Sequence, residues 1–149
     1  MGASTVLMAS GEALPEDVRG IVADCGFTSP KAIVTHVLRR RLHLPVAPFY
    51  PVVNGLFRLL AGYGLTDRST IHAMEHNRLP VLFVHGEADG FVPSKMTRQA
   101  YDACQAEKEL LLVPGAGHGR SYLEDMPGYQ RKLDSFLARY GAACEDAGS

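Results

Sequence analysis

The stretch PVLFVHGEADGFVP, residues 80–93, decides the fold of this chain. Its continuous apolar run from Val81 to Val84 is typical of a strand that is covered on both faces of a parallel sheet. A polar loop that contains Asp89 follows at once, and a helical pattern begins at Ser94, which we expect to be the N-cap. These residues therefore predict a strand, a loop with a carboxylate, and a helix, in that order.

Two further strands are predicted on either side of this unit. The run IVAD at 21–24 ends in a glycine-containing loop, and the run ELLLV at 109–113 is apolar except for its first residue. Strands near 20–24, 80–85 and 109–113 alternate with helical patterns, which is typical of a parallel sheet with right-handed crossovers. The sequence thus predicts an α/β fold with about three parallel strands and flanking helices.

Helical patterns fill the intervals between these strands. The opening residues MGASTVLMASG predict a buried helix of small residues, with Gly11 as its C-terminal cap. Four more helices are predicted from Pro30 through the triple arginine, over about 50–62, around 70–76, and from near Pro127. A loose tail is expected after Gly141.

Composition limits the class of protein. The chain has 149 residues and 46% hydrophobic content, which is enough for one core and one domain. Its 15 basic and 16 acidic residues give a net charge of −1, so the overall charge provides no case for nucleic acid or an anionic membrane. The apolar runs are also far short of the ~20 residues that a membrane span needs. The three cysteines form no C-x-x-C pair and are expected to be reduced and mostly buried.

An acid and a histidine follow two neighbouring strands of the predicted sheet. Asp89 follows the strand at 80–85, and His118 lies among glycines after the strand at 109–113. Ligands bind outside the carboxyl ends of parallel strands, so both side chains are expected at the same edge of the sheet. A carboxylate beside a histidine fixes its tautomer and stabilises the imidazolium form. Asp89 and His118 are therefore the predicted catalytic pair.

The segments HGEADGFVP and VPGAGHGRSY resemble the closing half of an α/β-hydrolase. The resemblance covers residues 1–140 and implies that Asp89 is the triad acid and His118 the general base. It further implies a helical lid insertion at about 29–68, and cleavage of a carboxylic ester, thioester or amide through a serine acyl-enzyme. No cofactor and no metal are implied, and the expected partner is a small-molecule substrate.

The nucleophile of that family lies in G-x-S-x-G, a motif that this chain lacks. The opening MGAST resembles the end of such an elbow, with Gly2 as its second glycine. The serine would then immediately precede Met1, whose backbone N–H would face the oxyanion hole. We therefore expect the C-terminal portion of a longer bacterial serine hydrolase, inactive by itself. Any targeting segment would lie upstream, and a cytoplasmic location is favoured.

Several other features carry weaker functional predictions. An apolar substrate pocket is suggested by the lid residues Phe49, Tyr50, Val53 and Phe57. Asp24 is a rival triad acid, because some α/β-hydrolases place the acid one strand earlier, and the neighbouring Cys25 is expected to be structural.

Two alternative functions stay open. A non-catalytic interaction module would keep the fold without a nucleophile. The segment HAMEH at 72–76 matches the H-x-x-E-H pattern of zinc peptidases, with His72, Glu75 and His76 as the motif residues. Its helix is short and lacks a third ligand, so we expect a surface helix without metal. Arg39, Arg40 and Arg41 end a helix, where cations favour the dipole, and are expected to be solvated.

Overall fold

The computed structural model describes residues 1–141. Within these residues the chain alternates helices with three strands. The elements, in chain order, are α1 (Gly2–Ala9), β1 (Ile21–Asp24), α2 (Pro30–Arg40), α3 (Val46–Ala61), α4 (Thr70–His76), β2 (Val81–Gly86), α5 (Ser94–Ala103), β3 (Lys108–Val113), α6 (Ser121–Glu124) and α7 (Met126–Tyr140). The predicted tail at 142–149 lies outside the described residues.

The three strands form one parallel sheet in the order β1-β2-β3. Ile21 lies opposite Val81 in the first pair, and Val81 lies opposite Lys108 in the second. The predicted α/β fold with three parallel strands is confirmed, and each strand lies within a residue or so of its predicted position. The connections α2–α4 and α5 act as crossovers, so all three carboxyl ends meet at one edge.

The core lies on both faces of the central strand β2, whose six residues are all buried. Phe83 packs on one face with Leu7 of α1 and Met74 of α4. On the opposite face, Leu82 and Val84 pack against Phe136 of α7. Because successive side chains of a strand alternate between faces, one continuous apolar run supplies both layers of the core.

Two predicted helix caps are wrong. α1 ends at Ala9 with Ser10 in a right-handed conformation, so Gly11 is not a left-handed cap. Gly11 is instead required by close packing, because a Cβ there would lie 2.8 Å from the Cα of Ala73. Ser94 is the first residue of α5, and the N-cap position belongs to Pro93, which offers no side-chain hydrogen bond.

The other helix starts follow local signals in the sequence. Ser29 caps α2 by accepting a hydrogen bond from the Ala32 amide, and Pro30 occupies the first turn as predicted. Asp125 likewise caps α7 through the Gly128 amide. α3 begins at Val46, earlier than predicted, and contains Pro51 inside the helix.

α1 and α6 differ from the sequence interpretation, whereas α3 agrees with the surface helix that we predicted over about 50–62. α1 is only partly buried, since Ser4 and Leu7 are enclosed but Val6 is 43% exposed. The single turn α6 was not predicted. α3 has no buried residue, as a surface helix should not. Among the described helices, none combines the length and the hydropathy required to traverse a bilayer.

Candidate active site

The loops that follow β2 and β3 bring Asp89 and His118 together. The Nδ1 atom of His118 lies 2.6 Å from Oδ2 of Asp89. The Asp89 side chain is fully buried, whereas the His118 side chain is 40% exposed. The two predicted residues are thus in direct contact, with the acid enclosed and the imidazole open to solvent. The second ring nitrogen, Nε2, is left without a hydrogen bond among the described residues.

The carboxylate of Asp89 is held by backbone amides as well as by His118. Its Oδ1 accepts hydrogen bonds from the amides of Phe91 at 2.8 Å and Val92 at 2.9 Å. Burial by itself raises the pKa of Asp89, but the bonds from His118 and from the two amides outweigh it, and the pKa is lowered. Asp89 is therefore a stable anion at neutral pH and can orient a histidine.

His85 is a second partner of Asp89 that the sequence analysis missed. Its fully buried ring places Nε2 3.2 Å from Oδ2 of Asp89 and 2.9 Å from the carbonyl oxygen of Val92. Both oxygens are acceptors, so Nε2 carries the hydrogen. Nδ1 lies 2.6 Å from Oγ1 of Thr97, whose hydroxyl is also 3.1 Å from the Gly26 carbonyl. The sequence could have indicated this contact, because His85 lies at the end of an apolar strand and four residues before Asp89.

Gly86 lets the two loops approach each other. A Cβ on Gly86 would overlap the carbonyl of Ala116 and lie 2.8 Å from the carbonyl oxygen of Gly117. The amide of Ala88 bonds to the same Ala116 carbonyl at 3.0 Å, which links the acid loop to the histidine loop. A glycine is needed here for close approach, because no side chain fits between the backbones.

Asp24, the rival acid, points to different partners. Its Oδ1 accepts from the thiol of Cys25 at 3.0 Å and from the hydroxyl of Ser121 at 3.2 Å. Within residues 1–141 the hydrogen bond of the His118 ring goes to Asp89 and not to Asp24. The geometry therefore favours Asp89 as the acid.

Cys25 links the end of β1 to the histidine loop. It is buried and has a left-handed backbone, with φ of 60°, and its sulfur accepts from the Gly119 amide at 3.4 Å. Burial, and then the hydrogen bond to Asp24, raise the pKa of the thiol to about 12. Such a thiol stays protonated, which agrees with a structural role.

Two groups of side chains have the composition of metal ligands. Potential ligand atoms of Cys25, His85 and Asp89 lie within 4.8 Å of one another, but each of these side chains already makes hydrogen bonds. The second group consists of His72, Glu75 and His76 of the HAMEH segment. These residues are exposed, and their potential ligand atoms also lie within 4.8 Å of one another. Nδ1 of His76 bonds to the His72 carbonyl at 2.8 Å. The absence of a functional metal stays a prediction.

The predicted lid region contacts the edge of the site. α2 and α3 lie in the chain between β1 and α4, and the guanidinium of Arg41 is 5.8 Å from the ring centre of Phe91. The Phe91 ring is in turn 5.2 Å from the ring of His118.

The residues of the predicted substrate pocket are only partly enclosed. Phe49 and Phe57 are exposed, whereas Tyr50 and Val53 are half-buried. The hydroxyl oxygen of Tyr50 is buried and has no hydrogen-bond partner among the described residues. Met1 precedes the first turn of α1, and its carbonyl accepts from the Thr5 amide at 3.2 Å.

Comparison with known proteins gives this geometry a context. The model of the family described as serine hydrolase (FSH1) matches residues 4–119. The uncharacterised protein YqkD of Bacillus subtilis (strain 168) is 27% identical over 137 residues. That match covers 92% of this chain and 45% of YqkD, so the chain spans about half the length of the curated relative.

Solved structures show the same fold at low sequence identity. An esterase from Pyrococcus furiosus superposes with a TM-score of 0.68 at 18% identity, covering 95% of this chain and 51% of the esterase. The acylaminoacyl peptidase of Pyrococcus horikoshii gives a TM-score of 0.65 at 14% identity, covering 99% of this chain and 24% of the peptidase. The predicted resemblance is confirmed: the sheet is part of an α/β-hydrolase fold, and the chain belongs to the FSH1 serine hydrolase family.

Proposed function

We propose that this chain is the acid- and base-bearing part of a serine hydrolase that cleaves a carboxylic ester, thioester or amide. The contact between Nδ1 of His118 and Oδ2 of Asp89, at 2.6 Å, carries the proposal. A general base requires a buried anion on one ring nitrogen and a second ring nitrogen that is free to accept a proton, and the His118 side chain is 40% exposed. Membership of a serine hydrolase family supports the same chemistry.

In the proposed reaction, a serine hydroxyl attacks the carbonyl carbon while Nε2 of His118 takes its proton. Asp89 holds the Nδ1 hydrogen and stabilises the imidazolium. The proton then passes to the leaving group, and an acyl-enzyme remains until water, activated by the same nitrogen, releases the acid.

The nucleophile is the part of this proposal that the chain does not supply. We expect it directly before Met1, so that the Met1 amide forms part of the oxyanion hole. In this proposal, residues 29–68 form the lid insertion, and Phe49, Tyr50, Val53 and Phe57 line an apolar acyl pocket. The hydroxyl of Tyr50, which has no hydrogen-bond partner within residues 1–141, would contact a polar atom of the substrate.

The test compares the 149-residue protein with a longer one that includes the residues encoded upstream of Met1. The longer protein should react with a fluorophosphonate probe and hydrolyse short-chain nitrophenyl esters, and the 149-residue protein should do neither. Loss of a triad nucleophile costs on the order of 10⁶-fold in kcat.

Variants of the longer protein assign the roles. Asp89→Asn and His118→Ala should each lower kcat by about 10⁴-fold or more. Asp24→Asn is the matched control and should retain most of the activity. Probe labelling of Ser4 or Ser10 in the 149-residue protein would contradict the proposal, and an inactive longer protein would favour a non-catalytic module.

A further inference from the structure

The charges of this chain are unevenly distributed, although the overall net charge is only −1. Between Asp24 and Asp67 there is no acidic residue at all. The same stretch contains five basic residues, namely Lys31, Arg39, Arg40, Arg41 and Arg58. Although the charges of the whole sequence nearly cancel, the segment that contains α2 and α3 is therefore cationic.

Most of these cations have no acidic partner within residues 1–141. Arg58 pairs with Asp67 at 3.1 Å, which neutralises it. Lys31 and the three arginines at 39–41 are exposed and make no ion pair with any described residue. The ammonium of Lys31 lies 5.8 Å from the ring centre of Tyr50, and the guanidinium of Arg41 lies 5.8 Å from that of Phe91. These four side chains, the α2 cations, are available to an external anion.

α3 adds an apolar surface to this segment. Four of its exposed apolar residues recur at helical spacing and form one face, the α3 stripe, which consists of Val52, Leu56, Leu59 and Leu60. Leu59 is 81% exposed and Leu60 is 76% exposed. A row of exposed apolar side chains of this kind is a candidate interaction surface.

We propose that the segment formed by α2 and α3 docks on the surface of a bilayer that contains anionic phospholipids. The α3 stripe would lie at the boundary between headgroups and acyl chains, and the α2 cations would contact lipid phosphates. An apolar helix face in the same segment as four exposed cations, with no acidic residue between Asp24 and Asp67, fits such a surface because the bilayer presents an anionic layer above an apolar one. A nucleic acid would match the cations but leave the stripe exposed.

This docking surface is connected to the candidate active site. Arg41 at the end of α2 lies over Phe91, and Phe91 contacts His118. Docking would therefore hold the open edge of the site near the bilayer. The inference does not depend on the proposed function, because it concerns a surface that contains neither Asp89 nor His118.

Vesicle flotation with the 149-residue protein tests the proposal. Vesicles of phosphatidylcholine with about one third phosphatidylglycerol should carry the protein upward in a density gradient, and pure phosphatidylcholine vesicles should carry far less. Binding should weaken at about 0.5 M salt, where screening shortens the range of the charges. Flotation separates bound protein from any aggregate, which stays at the bottom.

Two pairs of substitutions examine the two halves of the surface. Arg39→Gln with Arg40→Gln should weaken binding by about 30-fold, because the loss is about fivefold for each cation. Leu59→Gln with Leu60→Gln should weaken it by at least about tenfold. All four side chains are exposed, so circular dichroism should show an unchanged fold.

Matched controls change the same residue types elsewhere. Arg78→Gln with Arg131→Gln gives the same change in net charge, and Leu123→Gln with Leu137→Gln removes exposed leucines from α6 and α7. Both control pairs should retain binding. The proposal is wrong if the unmodified protein does not float, if controls and test pairs lose binding equally, or if the stripe variants only abolish self-association.

Discussion

Asp89 is the acid of the proposed catalytic pair, and its environment makes its charge part of the stability of the fold. Its pKa is lower in the folded chain than in the unfolded chain. The ionised carboxylate therefore stabilises the fold fully above the unfolded pKa of about 4, and this contribution is lost as the pH falls through the folded value.

Asp89→Asn should accordingly reduce stability most near neutral pH. We expect the difference in unfolding free energy between the unmodified protein and the variant to shrink below about pH 4, where the carboxylate protonates. Urea denaturation at a series of pH values measures this difference in unfolding free energy. Asp102→Asn, at an exposed position of α5, serves as the control and should give a small difference at every pH. A difference for Asp89 that grows on acidification would contradict the assignment.

Cys25 is the second residue whose environment gives a sharp expectation. With a pKa of about 12, caused by burial and the neighbouring Asp24, almost none of it is thiolate at pH 8. In a Cys144→Ser background, native protein should react very slowly with a thiol reagent. The two remaining thiols, Cys25 and Cys104, are both buried and should react promptly in denaturant. If native protein reacts fast with the thiol reagent and Cys25→Ala abolishes that reaction, the Cys25 thiol is activated and this expectation is wrong.

At the scale of elements, the site depends on how closely the loops after β2 and β3 approach. The end of β2 lies against the backbone of residues 116 and 117, and Gly86 leaves no space there for a Cβ. Strand pairing alone would not give this contact, because both loops extend beyond the ladder that ends with Gly86 opposite Val113.

Gly86→Ala should therefore destabilise the protein by about 2–3 kcal/mol, since backbone atoms must move to admit the methyl group. Gly90→Ala is the matched control in the same loop, because a Cβ there meets nothing within 4 Å. Denaturant unfolding of both variants gives the comparison, and the His118 signals in NMR spectra should shift only in Gly86→Ala. Equal stability of the two variants would show that the loops are not tightly packed.

At the scale of the whole molecule, β1 is an edge strand of the described sheet. It pairs with β2 on one side, and Val22 in its centre is 37% exposed. An unpaired edge with exposed apolar side chains is a template for association with another chain. For this reason we expect the isolated chain to be poorly soluble or only marginally folded.

We expect the 149-residue protein to self-associate as its concentration rises, and Val22→Lys to reduce that association. A lysine on an edge strand opposes pairing because its charge would have to be desolvated. Sedimentation velocity over a concentration series provides the measurement, with Leu137→Lys on α7 as the control for added charge. A monomer at all concentrations, or an equal effect of both lysines, would contradict this expectation.

Local signals account for most of what could be predicted. The apolar run at Val81–Val84 identified a doubly covered strand, Pro30 identified the start of α2, and the order of strands predicted a parallel sheet with Asp89 and His118 at one edge. Ser94 and Gly11 were misassigned, because serine and glycine have other uses besides capping. Gly11 is required by its packing against Ala73, a contact that lies far away in the sequence.

The sequence by itself determined the order of the strands along the chain, the burial of β2 on both faces, and the placement of an acid and a histidine after the carboxyl ends of β2 and β3. These properties follow from residue type and spacing, which act over a few residues. Only the tertiary structure decided that Asp89 rather than Asp24 meets His118 and that His85 is a second partner of the carboxylate. It also decided that no other part of residues 1–141 covers the α3 stripe. Those outcomes depend on distances between segments that are remote in the chain, and such distances are set by packing rather than by local preference.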